Sequence, residues 1–518
     1  MQLLPASFRS SALRLLLPLL LALALSPVGV TTSVVAESSA AASSAAVSSV
    51  AVSSAAVSSA TSPAFRAEVN RQVAAARRVA PDLGVHIVDL STTRTVYGFQ
   101  ADVPRILASN TKLLSSGAAL ELLGPAHSFE TRIAVRGQVV EGRLDGDLAV
   151  VGGGDPNLSG RFHYGDIYAV FRRWGEELRG QGIDRIGGDL YLINGQFQGD
   201  QIHPDWPRDQ LTRWYEAPVD ALSFNDNCVL VRVKPGRRPG DPVRVEVEPP
   251  LPIFEVESTG RTRGRGRGVI QIDRKWGTNT LTVAGTLKVG ASPVEKWVAV
   301  DDPVQYFGAA LKAALGEVGV RLEGKVFRAP QLPSASWRLV TVHRSDLLTT
   351  LEVVNKKSQN FYAESVLKHL GFHHCGEGTW AGGLKAVEEV LTRAGIEPGT
   401  YQLADGSGMS RGNRLSPYQM TAFLLYMDRH AYREAFLETL PESGEADTSW
   451  RRRLAQSPYR GSVWSKTGTL NGVSTLSGYV RGKSGRVYAF SLLMNGSRAA
   501  WRSRRAQDNI LRAIIDHG

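Results

Sequence analysis

Three short strings constrain this chain more than anything else in it: Ser109-Asn110-Thr111-Lys112, Ser358-Gln359-Asn360 and Lys466-Thr467-Gly468. Read as Ser-x-x-Lys, Ser-x-Asn and Lys-Thr-Gly, they make a complete acyl-transfer set without a histidine. The set holds a hydroxyl nucleophile beside a lysine base, a polar shuttle and an anion-binding strand. To act together they must meet in space, yet Ser358 stands 249 positions after Ser109. The chain between them must therefore leave the site and return to it.

That middle differs in character from its flanks. From about residue 128 to about residue 340, short β-like runs (148–151, 190–193, 229–233, 243–247, 281–283) alternate with Gly, Pro and Asp, and the stretch reads as a β-rich insert. Before it, the pattern predicts a helix over 67–79, strands over 85–90 and 95–99, and an apolar helix over 111–122. After it come helical patterns over 347–370 and 382–394. Strand signals over 463–467, 475–480 and 487–494 follow, and a last helix over 508–515. A basic run within the insert, Arg261, Arg263, Arg265 and Arg267, reads as a solvated loop in preference to a polyanion site.

At 518 residues the chain is too long for one ordinary core, so two or more domains are expected. The first residues are not fold. Arg9 and Arg14 precede an apolar run over 15–25, and Val34-Val35-Ala36 offers a cleavage site, so 1–36 reads as a signal peptide. The alternative is an uncleaved anchor, for which the run is short. Residues 37–62 are nearly all Ser, Ala and Val, with Glu37 as the one charge, and read as a disordered linker. The expected location is extracytoplasmic, in the periplasm or cell envelope. The net charge of +11 suits an anionic cell-wall polymer or membrane and, as charge alone, nucleic acid. The two cysteines, Cys228 and Cys375, make no disulfide framework, and whether they pair stays open.

Two of the strings have decoys. Ser-x-x-Lys recurs at Ser365–Lys368 and Ser-x-Asn at Ser223–Asn225. Ser109 falls where a helix begins, so free N–H groups and the helix dipole favour a developing oxyanion there, and Lys112 lies one turn on. Ser365 falls mid-helix, and Ser223 reads as part of a turn. Lys112 must be neutral part of the time to act as a base. Burial and a second cation such as Lys466 both lower its pKa; an ion-pair role for Lys112 is the alternative. Ser358 is placed as the proton shuttle, and Asn360 as the group holding the substrate amide and the lysine. Lys466 and Thr467 are placed on the substrate carboxylate, with Gly468 allowing close backbone approach. The backbone N–H groups of Ser109 and Thr469 make the expected oxyanion hole. The ten histidines suggest no metal site, and His373-His374-Cys375 reads as a surface loop, so neither metal nor cofactor is expected. No Gly-x-Ser-x-Gly elbow is present.

With these residues the chain resembles the penicillin-binding protein 4 type of D-alanyl-D-alanine carboxypeptidase/endopeptidase. The resemblance extends to Gly152-Gly153-Gly154-Asp155-Pro156, to the stretch 217–227 and to Asp405-Gly406-Ser407-Gly408 with Met409 through Arg414, and it covers about 64–518. It implies an α/β (α+β) fold with an antiparallel sheet flanked by helices, β-lactamase/transpeptidase-like and split by the large insert. The implied penicillin-recognising catalytic domain is then 64–127 with 341–518. The insert, 128–340, is implied to hold two nested subdomains, the inner one about 196–290. It further implies removal of the terminal D-Ala from peptidoglycan stem peptides, cleavage of D-Ala–diaminopimelate cross-links by some members, and acylation by β-lactam antibiotics. Nucleic acid is not an expected partner, nor is peripheral membrane contact. Arg411 matches an arginine that engages the diaminopimelate side chain. Asn194 stands where members often have Asp, and Asn471 where some have Gln. A non-catalytic wall-binding protein and a β-lactamase are the competing readings. For a class A β-lactamase the 249-position gap is too long.

Overall fold

Strands from the two ends of the chain assemble into one sheet. In the computed structural model, which describes residues 62–333 and 336–518, its order is Val463–Leu470, Val473–Arg481, Val487–Asn495, Asp82–Asp89, Thr95–Phe99, antiparallel throughout. The expected signal peptide and all of the expected linker except Ser62 lie outside the described residues. Ser62 itself caps a helix: its hydroxyl accepts from the Phe65 N–H at 3.1 Å at the start of Pro63–Arg77.

Side chains alternate across this sheet with period two. Leu476, Val480, Tyr488, Phe490 and Leu492 pack with the helices Pro63–Arg77 and Ala500–His517 on one face. Tyr479, Ala489 and Leu493 face the opposite way, into a helical layer containing Leu113, Leu114, Phe361 and Phe423. Both faces are covered, which is why these strands read as near-continuous apolar runs. The Val463–Leu470 strand forms one edge of the sheet.

The long middle leaves and returns on adjacent strands. Ser128–Val140 pairs antiparallel with Arg338–Asp346, Ser128 opposite Asp346, within a seven-stranded sheet. Two smaller sheets, of four and three strands, follow along the chain. This region also holds two helices that the strand-dominated pattern obscured, Ala169–Gly180 and Pro303–Glu317. Val170, Phe171, Trp174 and Leu178 form a buried helical stripe on the first of them.

Three sequence expectations need correction. The helical pattern over 347–370 is two helices, Leu347–Lys356 and Asn360–Cys375, broken at Ser358, whose φ of 57° no α-helix allows. His373, His374 and Cys375 form the last turn of the second helix instead of a loop. Part of the basic run is the strand Arg261–Arg263, paired parallel with Thr286–Lys288 in the Thr280–Lys288 strand, so only the residues after it are loop. Cys228 is buried and Cys375 half-buried, and both are free thiols. Among the described residues no helix is long and apolar enough to cross a membrane.

Candidate active site

The three strings converge. Ser109 lies in a single 3-10 turn, Ala108–Asn110, that runs directly into the helix Thr111–Leu123. Ala108 before it has φ 46°, so the chain enters the helix through a left-handed residue. This places Ser109 on the lip of the helix instead of within it. Lys112, fully buried, reaches back: its Nζ lies 3.2 Å from Ser109 Oγ, 2.7 Å from Asn360 Oδ1 and 2.6 Å from the Ser407 carbonyl.

That tripod fixes the protonation chemistry. The Ser407 oxygen can only accept. Asn360 presents its oxygen to Lys112 because its Nδ2 donates to the Tyr215 carbonyl at 2.9 Å. A neutral Lys112 spends its two N–H groups on these acceptors. Its lone pair is then aimed at the third neighbour, the Ser109 hydroxyl, which is the arrangement a general base requires. Burial pushes the Lys112 pKa down to about 7, while the nearby carboxylates of Glu364 and Asp405 pull the other way.

Lys466 occupies the other side. It is also buried, and its Nζ donates to Ser358 Oγ at 2.7 Å and to the Thr467 carbonyl at 2.9 Å. Burial first, and then the Lys112 charge, hold its pKa well below the ordinary lysine value. Of the two causes expected to lower the Lys112 pKa, burial is the larger, and it is the larger for Lys466 as well. Ser358 keeps its left-handed backbone at a cost of about 1–3 kcal/mol. That bend turns its hydroxyl to Lys466 in the break between two helices.

Asn110 ties the third string to the first. Its Nδ2 donates to the Lys466 carbonyl at 2.6 Å and its Oδ1 accepts from Ser477 at 3.0 Å. Gly468 is required by the protein's own backbone as well as by substrate: a Cβ there would lie 2.2 Å from Thr475 Oγ1 and 2.9 Å from the Ser109 nitrogen. The Ser465 N–H donates to Pro441 off the open edge of the sheet. By strand periodicity the Thr467 and Thr469 N–H groups face that same edge, where an oxyanion hole shared with Ser109 needs them. Thr467 Oγ1 lies 3.3 Å from Ser449 Oγ, and Thr469 is exposed.

Sequence reasoning missed the support beneath Lys112. Glu364, buried, accepts from the Gly406 and Ser407 N–H groups at 3.0 and 2.7 Å and from Trp380 Nε1 at 2.9 Å. It thereby holds the strap whose Ser407 carbonyl meets Lys112. Asp405 braces the same strap, accepting from the Gly408 and Ser410 N–H groups at 2.7 and 2.6 Å. The signal for Glu364 was present: it follows Asn360 by one helical turn, on the same face.

The outlying residues are placed unequally. Arg411, exposed, donates to the Asn471 carbonyl at 3.0 Å, next to the turn that ends the Lys466 strand. Asn194 does not join the constellation. Its bonds go to Asp220 (3.0 Å), Ala329 and Phe197, all residues of the middle region. The decoys separate cleanly. Ser365 donates back to the Phe361 carbonyl, and Asn225 sits in a left-handed turn with φ 50°.

A half-buried serine with a buried lysine beside it on a helix lip, facing a Lys-Thr-Gly edge strand, defines a serine-type enzyme of the penicillin-recognising class. Comparison with known proteins narrows this. The D-Ala-D-Ala carboxypeptidase 3 (S13) family matches residues 66–514, and the chain belongs to that family of serine peptidases. The chain is 33% identical over 434 residues to a D-alanyl-D-alanine carboxypeptidase of Actinomadura sp. (strain R39), covering 80% of this chain and 77% of that one. Its fold is similar to the crystal structure of penicillin-binding protein 4 from Haemophilus influenzae. The TM-score is 0.75 at 27% identity, over 85% of this chain and 97% of that one. The same protein complexed with a β-lactam superposes with TM-score 0.71 at 26% identity, over the same shares of the two chains.

Proposed function

We propose that this chain is an exported serine D,D-carboxypeptidase that removes the terminal D-Ala from peptidoglycan stem peptides through an acyl-enzyme on Ser109. The observation that carries the reading is the Lys112 tripod, which leaves a neutral amine one use for its lone pair, the Ser109 proton.

The steps follow from that geometry. Lys112 takes the hydroxyl proton as Ser109 Oγ attacks the carbonyl carbon of the penultimate D-Ala. The Ser109 and Thr469 N–H groups receive the oxyanion, and Lys466 and Thr467 hold the terminal carboxylate. As the C–N bond breaks, the proton held on Lys112 is relayed through the Ser358 hydroxyl to the leaving amine, which returns Lys112 to its neutral form and leaves Ser358 a hydroxyl, with Lys466 at 2.7 Å setting the direction of that hydroxyl. Water then attacks the ester carbonyl and gives a proton to the neutral Lys112, which passes it to Ser109 Oγ as the ester C–O bond breaks.

Release of a cross-linked stem peptide, in place of free D-Ala, uses the same chemistry at the same carbonyl, so endopeptidase action on D-Ala–diaminopimelate bridges belongs to the proposal. Arg411, which donates to the Asn471 carbonyl beside the end of the Lys466 strand, is the residue we assign to the stem side chain. β-Lactams enter as covalent inhibitors at Ser109. The export signal over 1–36, the linker and the positive charge support action in the cell envelope. We also divide the chain into a catalytic domain, 64–127 with 341–518, and the insert over 128–340.

A fluorescent penicillin should label the chain at Ser109, and diacetyl-Lys-D-Ala-D-Ala should release D-Ala. Ser109→Ala should lose both. Labelling that survives Ser109→Ala contradicts the mechanism. Rapid penicillin turnover without a stable adduct points to a β-lactamase, and neither labelling nor release points to a wall-binding protein.

A further inference from the structure

Away from Ser109, three imidazoles meet at the start of the insert. His127 directly precedes the Ser128–Val140 strand, and His369 and His373 lie one turn apart on the helix Asn360–Cys375. One ring nitrogen of each lies within 4.8 Å of the others. The His127 and His369 Nε2 atoms approach to 2.8 Å. The His369 and His373 ring centroids are 4.3 Å apart.

The neighbours of His369 bear on its tautomer. Its Nδ1 lies 3.0 Å from the Gly153 carbonyl, which only accepts, and 3.0 Å from Gln196 Nε2, which donates; the carbonyl contact favours the tautomer with the proton on Nδ1. Gln196 Nε2 donates to the same carbonyl at 3.0 Å. In that tautomer the Nε2 of this buried ring presents a lone pair toward His127. An imidazole whose outer N–H is held by a backbone carbonyl is the common arrangement of a metal-ligating histidine.

The spacing also fits an ion. With metal–nitrogen bonds of about 2.0–2.1 Å, two ligand nitrogens stand about 3.3 Å apart in a tetrahedral site. The 2.8 Å pair needs only a small opening to reach that. His373 is exposed and lines, with His127, a cleft of about 650 Å³, which leaves room for water as a fourth ligand. Glu130 lines the same cleft, but its carboxylate spans Arg132 and Arg344 and is not free to ligate.

We propose that His127, His369 and His373 form a zinc site with three nitrogen ligands and one open position. It clips the helix that starts at Asn360 to the first strand of the insert. Borderline-soft divalent ions prefer such an imidazole set, and Mg²⁺ or Ca²⁺ would not be held. The sequence expectation of no metal is replaced here. His369 and His373 do carry the i, i+4 spacing, and His127 completes the set from 242 positions away.

The test uses the folded protein stripped with a chelator and titrated with Zn²⁺ against a chromophoric competitor. One ion per chain should bind, and Co²⁺ should give the visible absorption of a low-coordinate nitrogen site. His373→Ala should weaken Zn²⁺ binding by about tenfold or more and abolish the cobalt spectrum. His374→Ala should change neither, because that ring faces Glu389 at 2.7 Å. His373 is exposed and outside the catalytic machinery, so retained penicillin labelling will verify the fold of that variant. Equal zinc affinity in wild type and His373→Ala, or an equal loss in His374→Ala, would overturn the site and leave the His127–His369 contact as an ordinary N–H···N bond.

Discussion

The chain carries the string Ser-x-x-Lys twice, and the two copies behave differently. Both lysines are buried, and burial lowers both pKa values, Lys112 to about 7 and Lys368 to about 8. What differs is the hydroxyl. Ser109 stands at the lip of a helix, after a left-handed residue, and its Oγ lies within reach of Lys112. Ser365 lies inside a helix and donates to the Phe361 carbonyl at 2.9 Å. Lys368 turns away to the Asp200 carbonyl and over the Trp380 ring. A depressed lysine pKa is thus insufficient for catalysis. The backbone must also deny the serine its local carbonyl, which a helix interior offers and a helix lip does not.

The comparison is broken most directly at the lysines. Lys112→Ala should slow penicillin acylation by about a thousandfold. Lys368→Ala should leave the labelled residue unchanged. Labelling gels and stopped-flow acylation rates check both. A smaller effect is expected at Gly468→Ala, where the added methyl meets Thr475 Oγ1 and presses toward the Ser109 nitrogen. Acylation should fall about 10–100-fold, and thermal or denaturant unfolding should show a loss of about 1–3 kcal/mol.

Glu364→Gln sharpens the account of the lysine. Burial pushes the Glu364 carboxyl up to about 7; where it is ionised its charge raises the Lys112 pKa, so its removal should move the acylation midpoint to lower pH. The rate should fall about tenfold as the Ser407 strap loosens. The smallest effect belongs to Ser365→Ala. It removes one hydrogen bond back to the helix, costs about 1 kcal/mol or less, and leaves acylation within about twofold.

Much of this was legible in the sequence, for identifiable reasons. Strands and helices flanking the site announced themselves through continuous apolar runs, because both faces of the main sheet are covered. The three strings were legible because they are contiguous. The break at Ser358 was not, since apolar spacing continues on both sides of it while the backbone turns left-handed. Ser407 and Tyr215 were invisible for another reason. Their backbone carbonyls meet Lys112 and Asn360 across 295 and 145 positions, and no local pattern encodes that. Asn194 shows the converse: it entered through the resemblance alone, as a position where family members often have Asp, and its side chain is bonded to Asp220 in the middle region.

The central claim is that neutral Lys112 takes the proton from Ser109. The acylation rate constant for a penicillin, measured against pH under pseudo-first-order conditions, tests it most directly. A base whose folded pKa is lowered is protonated below that value and free above it. The rate should therefore rise about tenfold per pH unit below pH 7, bend near about 7 and stay level above. A rate that is flat across this range, or that rises only near the ordinary lysine value, would contradict the account.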